Sequence, residues 1–480
     1  MRLLRRPPVA RAVAETPPTR DRVVDAARAA ALSVVVVGHG VMAVVAWPDG
    51  VPVLGNLLAA YPWTQALTWV LQIMPLFFWA GGAAGALSLR TRRERGLTYA
   101  AWLWGRGQRL LRPVWPYLAV MSAVAASVTW LAPDEVAEPL LALVTQLLWF
   151  LGAYLLVTAL LPVLVPSDNR GLVLRLVLLV GATALVEAGR FSWGWPEYAA
   201  LANFALVWSV PAVLGAARAR GVFDGVGPAA LAGIAIVTAA IDAALIALGP
   251  WPVSMVGMPG EPVSNIAPPT LVLALHCIVL AVLVQALDRP LTRLLHRPRA
   301  WRATVAVNLT AMTIYLWHLP VLIGLTALTH YLGLDRPVTL DAHGFPVPDG
   351  WWFALGSLVF WAVYLSLVVV VVLALWPLEY ARLPLWDSPT RLPAPRPGTA
   401  AAVALVATVL VGAATLALSA TGLAGFPTAT LTYSGVPLNP ALSLAVLVGG
   451  GLALRWAGGP RRDPTAATAR SAPATGPAVT

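Results

Sequence analysis

Apolar runs of about 20 residues recur along almost the whole chain, separated by short polar or Pro/Gly-marked breaks. Each run is long enough to cross a hydrocarbon core of roughly 30 Å as a helix. Twelve spans are predicted, at about 26–47, 66–89, 113–132, 140–165, 171–188, 200–217, 228–248, 268–287, 303–328, 351–377, 399–423 and 440–456. A membrane β-barrel would instead show ten-residue alternating segments. The pattern therefore predicts an all-α, polytopic transmembrane helical bundle. Residues 1–20, rich in Arg and Pro, and 458–480, of low complexity, are expected to be disordered. The first apolar run is too long for a cleavable signal peptide and reads as a signal anchor.

Composition narrows the class. The 480 residues are 59% hydrophobic and only 11% charged, with a mean hydropathy of +0.76, which no soluble domain of this size shows. The formal net charge of +11 raises nucleic acid as a partner, but the distribution of charge explains it better. All 32 basic residues are Arg. Of these, 28 fall in alternate connections: 1–24, 90–112, 166–170, 218–227, 288–302, 378–398 and the tail from Arg455. Positive charge collects on the cytoplasmic side, so both termini are predicted to be cytoplasmic, in a cell membrane, with lipid rather than nucleic acid as surroundings. Arg190 and Arg336 lie on the outer side, and Arg28 and Arg175 near inner ends of spans. The outer connections are short, which places any chemistry within the helices or at their edges. Cys277 is the single cysteine and the six His are scattered, so neither a disulfide framework nor a metal site is expected. The Ala/Arg-rich, Lys-free composition fits a GC-rich bacterial genome.

The first span, "DAARAAALSVVVVGHG" at 25–40, carries three ionisable groups. Arg28 and His39 are eleven residues apart, three turns plus about 20°, and so share a helix face about 16 Å apart along the axis. One reading is a snorkelling Arg and a packed His. The other is a long ligand lying along the helix, with an anionic group at Arg28 and a reactive end at His39. His318, in the ninth span, is predicted at a similar depth to His39, and Glu187 and Asp242 reach a comparable level. Intramembrane ionisable groups face cavities and partner one another, so a polar chamber in the outer half is expected, with Glu187 at the outer surface as the bland alternative. Arg106, Arg109 and Arg112 recur every three residues before the third span. They suit a phosphate clamp or an ordinary positive-inside signal. No P-loop and no GxGxxG fingerprint is present.

Five stretches in order, over most of the first 386 residues, resemble the acyltransferase-3 family of membrane O-acyltransferases. They are "DAARAAALSVVVVGH", "MPLFFWAGG" (74–82), "RLLRP" (109–113), "LLWFLGAYLLVTALLP" (147–162) and "TIYLWHLP" (313–320). Departures are Gly81-Gly82 where many members have Ser-Gly, and Ala311 and Met312 where many have Ser-Tyr. The resemblance implies a ten-helix membrane domain over 21–386, a linker at 387–398, two additional helices over 399–457 and a tail from 458. It implies transfer of an acyl group, acetyl first among them, from cytoplasmic acyl-CoA to a hydroxyl of a carbohydrate-containing or envelope acceptor. On that reading Arg28, Arg106, Arg109 and Arg112 hold the acyl-CoA phosphates and Asp25 orients Arg28. His39 acts as general base or acyl carrier, and His318 and Tyr315 bind the acceptor or polarise the thioester. A separate extracytoplasmic partner protein is a further expectation, because some members carry a fused hydrolase-like domain. The rival reading is a twelve-helix secondary transporter of a small solute or glycoconjugate, although no repeat relates the two halves. Acyl-CoA consumption separates the two.

Overall fold

The computed structural model describes residues 9–166, 168–258, 261–390 and 392–461. Residues 1–8 and 462–480, part of the two predicted disordered ends, lie outside the described residues, and Val9–Ala14 forms a short helix. Helices of eight residues or more are α1 (Arg22–Met42), α2 (Met74–Glu94), α3 (Tyr99–Leu111), α4 (Val114–Leu131), α5 (Asp134–Val144), α6 (Leu148–Leu164), α7 (Asn169–Ser192) and α8 (Asn203–Ala219). They continue as α9 (Pro228–Leu248), α10 (Leu271–Ala286), α11 (Asp288–Leu295), α12 (Pro298–Leu309), α13 (Ala311–Tyr331), α14 (Gly350–Tyr380), α15 (Pro397–Thr421) and α16 (Pro440–Gly458). Eleven helical segments are long and apolar enough to cross a membrane, or twelve if the bent pair α10–α11 counts as one. The chain is a multi-pass helical bundle. Its only sheets among the described residues are three antiparallel two-stranded ribbons: Ala43–Ala46 with Val53–Asn56, Val338–Leu340 with Pro346–Pro348, and Leu431–Tyr433 with Val436–Leu438.

Four spans differ from the sequence expectation: the second, expected over 66–89, is continuous helix only from Met74, the fourth, expected over 140–165, is broken between Val144 and Leu148, and the first and ninth change as follows. The first ends at Met42, and the chain enters a ribbon where continued helix to 47 was expected. The ninth is not one helix over 303–328. It breaks at Thr310, whose hydroxyl donates to the carbonyls of Ala306 (3.0 Å) and Val307 (3.4 Å), local bonds that compete with the helical ladder. The helix before the break, α12, is tied to α1 by Asn308, whose amide donates to the Asp25 carbonyl at 2.9 Å.

Helix packing rests on small residues, as it must where lipid is as apolar as leucine. A Cβ added at Gly82 would lie 2.0 Å from the Ala212 carbonyl oxygen, and one at Gly215 would lie 1.8 Å from that of Trp79. The backbones of α2 and α8 therefore touch. Phe78 and Trp208 stack beside this crossing, ring centroids 4.5 Å apart. At the arginine-rich end, Arg218 of α8 reaches Asp21 (2.7 Å), Asp288 (2.6 Å) and Gln285 (2.7 Å). Asp21 also caps α1 by accepting from the Val23 and Val24 N–H groups.

The α5–α6 break is irregular backbone between two apolar helices, which is costly in a bilayer unless its polar groups are satisfied. Leu148 N–H bonds to Thr145 and Phe150 N–H to Leu147, each three residues back. Hydroxyls from three other helices take up the carbonyls of this turn: Tyr117 that of Val144, Ser419 that of Gln146 and Tyr315 that of Leu147. Thr145 in return donates to Leu418 at 2.6 Å. The C-terminal pair is thus built into the bundle. A Cβ at Gly152 of α6 would meet the Gly412 carbonyl of α15 at 2.6 Å, and one at Gly458 of α16 would meet that of Ala100 of α3 at 2.0 Å.

Candidate active site

The last turn of α1 carries His39, and its carbonyls would be orphaned at a free helix end. Trp361 Nε1–H donates to Gly40 (2.9 Å), Arg336 to Ala43 (2.9 Å) and Tyr364 to Val36 (3.2 Å). Arg336 sits over the Phe360 and Phe353 rings, 4.2 and 5.0 Å from their centroids. Burial pushes its guanidinium down to about 10, which leaves it charged at neutral pH, as suits the negative end of a helix. Gly40 is needed for this fit, because a Cβ there would lie 2.8 Å from the Tyr364 ring.

So held, His39 meets His318 of α13. His39 Nδ1 and His318 Nε2 are 3.0 Å apart, and the rings are nearly parallel, at 15°. The other nitrogen of His318, Nδ1, lies 2.9 Å from the Ile314 carbonyl oxygen. A carbonyl can only accept, so His318 Nδ1 carries a proton. In a neutral ring Nε2 then holds the lone pair, and that lone pair accepts from His39 Nδ1–H. The remaining nitrogen, His39 Nε2, is the basic one. His318 is fully buried, whereas His39 lines a chamber of about 1300 Å³. Tyr315, one turn before His318, also lines it, but its hydroxyl proton is committed to Leu147.

The two acids expected at this level do not join the pair. Glu187 accepts from Asn203 (3.2 Å) and Trp251 (2.9 Å). Asp242 faces His276 at 3.9 Å between α9 and α10. Neither lines the chamber, whose walls are mainly aliphatic and aromatic. The expected four-group polar chamber is therefore replaced by an apolar chamber with one imidazole, that of His39, in its wall and His318 behind it.

Eleven residues before His39, Arg28 is half-buried and belongs to a basic cluster. Burial holds the Arg106 guanidinium below its usual range, and the adjacent charges of Arg109 and Arg28 add to this. Among the described residues none of the three pairs with a carboxylate. Arg106 donates to the Ala84 carbonyl at 3.2 Å, and Arg109 is exposed. Three unneutralised guanidinium groups side by side fit a polyanionic ligand. Arg112 stands apart from them. It is paired with Asp387 at 2.6 Å, and Gln108 donates to the same carboxylate at 2.6 Å. Asp25 likewise has Arg20 as its partner, at 2.6 and 2.8 Å, and not Arg28. Sequence reading missed Asp387, Trp361 and Tyr364. The only signal for Asp387 was an acid in an arginine-rich segment.

No curated protein and no solved structure matches the chain. The acyltransferase domain of the acyltransferase-3 family (Acyl_transf_3) matches residues 21–379, which hold the imidazole pair, the three clustered arginines and α1 between them. By this match over most of its length, the chain belongs to the acyltransferase-3 family of membrane acyltransferases.

Proposed function

We propose that the protein moves an acyl group, acetyl first among them, from acyl-CoA to a hydroxyl of a carbohydrate-containing or envelope acceptor. The arginine-rich end lies in the cytoplasm of a bacterial cell and both termini with it. The observation that carries this reading is His39 in the chamber wall, backed by His318, on the same helix as Arg28 of an unneutralised arginine cluster. Arg28, Arg106 and Arg109 hold the phosphates of the nucleotide end. The pantetheine arm runs beside α1 toward His39. Arg112, held by Asp387, positions α3 and contributes less to the phosphates.

His39 Nε2 takes the proton of the acceptor hydroxyl as its oxygen bonds to the thioester carbonyl carbon. His318 stabilises the resulting imidazolium by accepting from Nδ1–H, as an orienting partner does. The carbon–sulfur bond then breaks, and the proton on His39 passes to the CoA thiolate. No metal takes part in this scheme. A separate extracytoplasmic protein that passes on the acylated product is compatible with it.

The test uses inverted membrane vesicles, which present the cytoplasmic face, and labelled acetyl-CoA. Free CoA and label in extracted glycan and lipid are measured for wild type, His39→Ala and Arg28→Ala at equal expression. Loss of CoA release by about 10²- to 10⁴-fold in His39→Ala is expected for a general base. Equal release from wild type and His39→Ala removes His39 from the mechanism. Solute movement without CoA consumption would establish the transporter reading instead.

A further inference from the structure

The family match ends at residue 379, yet the chamber does not. Val409, Ala413, Leu416, Ala417 and Ala420, all of α15, line it. Their spacing of four, three, one and three residues places them on one helical face. Another face of α15, with Ala404, Ala407, Val411 and Leu418, is buried in the bundle. The helix therefore has one side for packing and one, half of it alanine once Ser419 is included, that hollows out the chamber. The ribbon that follows adds Tyr433, Val436 and Leu438 at the far end.

The chamber is poorly equipped to hold a bare sugar. The hydroxyl protons of Ser33, Thr64, Thr68, Thr326, Ser419 and Tyr315, all in its lining, are given to backbone carbonyls. Apart from His39, the other polar side chains of the lining, Asn56, Gln72, Gln146, Trp149 and Tyr433, are few against its mainly aliphatic walls, so a carbohydrate buried there would leave hydroxyls unpaired, at a cost for each. An acetyl group alone would leave most of about 1300 Å³ unfilled, a volume above that of most small-ligand sites. Val37 of α1 and Val409 of α15, both in the lining, are 47% and 41% exposed, apolar surface of the kind an aliphatic chain covers.

We propose that the chamber binds the aliphatic tail of an amphipathic, lipid-like acceptor, and that the face of α15 formed by Ala413, Ala417 and Ala420 sets the tail length it accepts. The word acceptor rests on the acyltransferase reading. The aliphatic site itself does not.

The experiment uses the full chain in nanodiscs, with acetyl-CoA as donor. Glucose and alkyl glucosides from hexyl to dodecyl are the acceptor probes. An alkyl glucoside carrying a diazirine on its chain is a label mapped by peptide mass spectrometry. Variants are Ala417→Trp, Ala420→Trp as a second filling variant at an exposed position, and Val406→Trp, exposed on the same helix two turns before Ala413 and outside the chamber lining, as control. The expected result is a kcat/KM that rises about tenfold or more from hexyl to dodecyl, because added methylenes in an apolar site are strongly felt. Either filling variant shifts the optimum to shorter chains, lowers kcat/KM for dodecyl more than for hexyl glucoside by about tenfold, and removes label from α1 and α15. Val406→Trp changes none of these. Rates independent of acceptor chain length, with label outside the chamber, overturn the proposal. So does a length preference that follows the acyl chain of the donor in an acyl-CoA series, which would give the chamber to the donor. Label in the chamber that Ala417→Trp removes, with no CoA release from wild type, supports the aliphatic site and overturns the acyltransferase reading alone.

Discussion

Replacing His318 by leucine isolates the part of the mechanism that depends on the pair. The change removes the acceptor of His39 Nδ1–H, a bond of 3.0 Å, and puts an apolar group of similar bulk in a fully buried position. His39 keeps its place, because its turn is held by Trp361, Arg336 and Tyr364 through backbone carbonyls. What is lost is the selection of the tautomer with a bare Nε2, together with the partner of the imidazolium. A buried donor left without a partner costs about 1–3 kcal/mol, which corresponds to about 5- to 150-fold in rate if it falls on the transition state. The assay is CoA release from purified protein, with kcat and KM for acetyl-CoA determined separately. The loss is expected in kcat, with KM unchanged within about twofold. His318→Gln, whose side-chain oxygen can accept from the same N–H, is expected to recover part of it. A His318→Leu enzyme that is folded and turns over at the wild-type rate would refute the assignment of His39 Nε2 as the base through this bond.

Arg28→Ala and Arg106→Ala are expected to raise KM for acyl-CoA by about tenfold each, as for loss of a charge-assisted hydrogen bond. Arg112→Ala is expected instead to lower thermal stability with a smaller effect on KM, because it unpairs Asp387; KM and melting curves on the same preparations tell the two classes apart. Tyr315→Phe removes one donor from the Leu147 carbonyl, which keeps Phe150 N–H, and should cost about 0.5–1.5 kcal/mol of stability in detergent unfolding. Gly82→Ala and Gly215→Ala force α2 and α8 apart and are expected to abolish the monodisperse peak on size exclusion. Gly233→Ala in α9, with open space around its Cβ position, should leave that peak intact.

The bundle was legible because hydrocarbon imposes one rule on every span: length and apolarity suffice to find it. The meeting of His39 and His318 was approached by counting residues from helix starts, and one of those starts was misplaced. Thr310 breaks the ninth span, and the helix before the break is tied to α1 by Asn308 on the Asp25 carbonyl, a contact 283 residues apart in sequence. Asp25 shows the same limit. Its three-residue spacing to Arg28 suggested a pair, but Arg20 reaches it first from the segment before the helix. Glu187 and Asp242, expected at the depth of the imidazoles, find other partners, Asn203 and Trp251 for the one and His276 for the other, and depth is all that counting along a helix supplies. The hydroxyl protons that leave the chamber apolar are likewise silent in sequence, since Thr and Ser look polar until their partners are known.

The α5–α6 turn has a consequence for how the protein is made. Two of its bonds, Thr145 to Leu418 and Ser419 to Gln146, join residues 273 positions apart. During synthesis the turn is in the membrane long before residue 419 leaves the ribosome, so the Gln146 carbonyl waits without its final donor. The stretch that matches the family is then complete as sequence but unfinished as a structure, and the last two helices close it in the manner of a keystone. A chain cut in the 387–398 linker should for the same reason yield an inactive large fragment that regains activity when the small fragment, 399–480, is co-expressed. Separate expression of the large fragment, with CoA release measured before and after reconstitution, reads this directly.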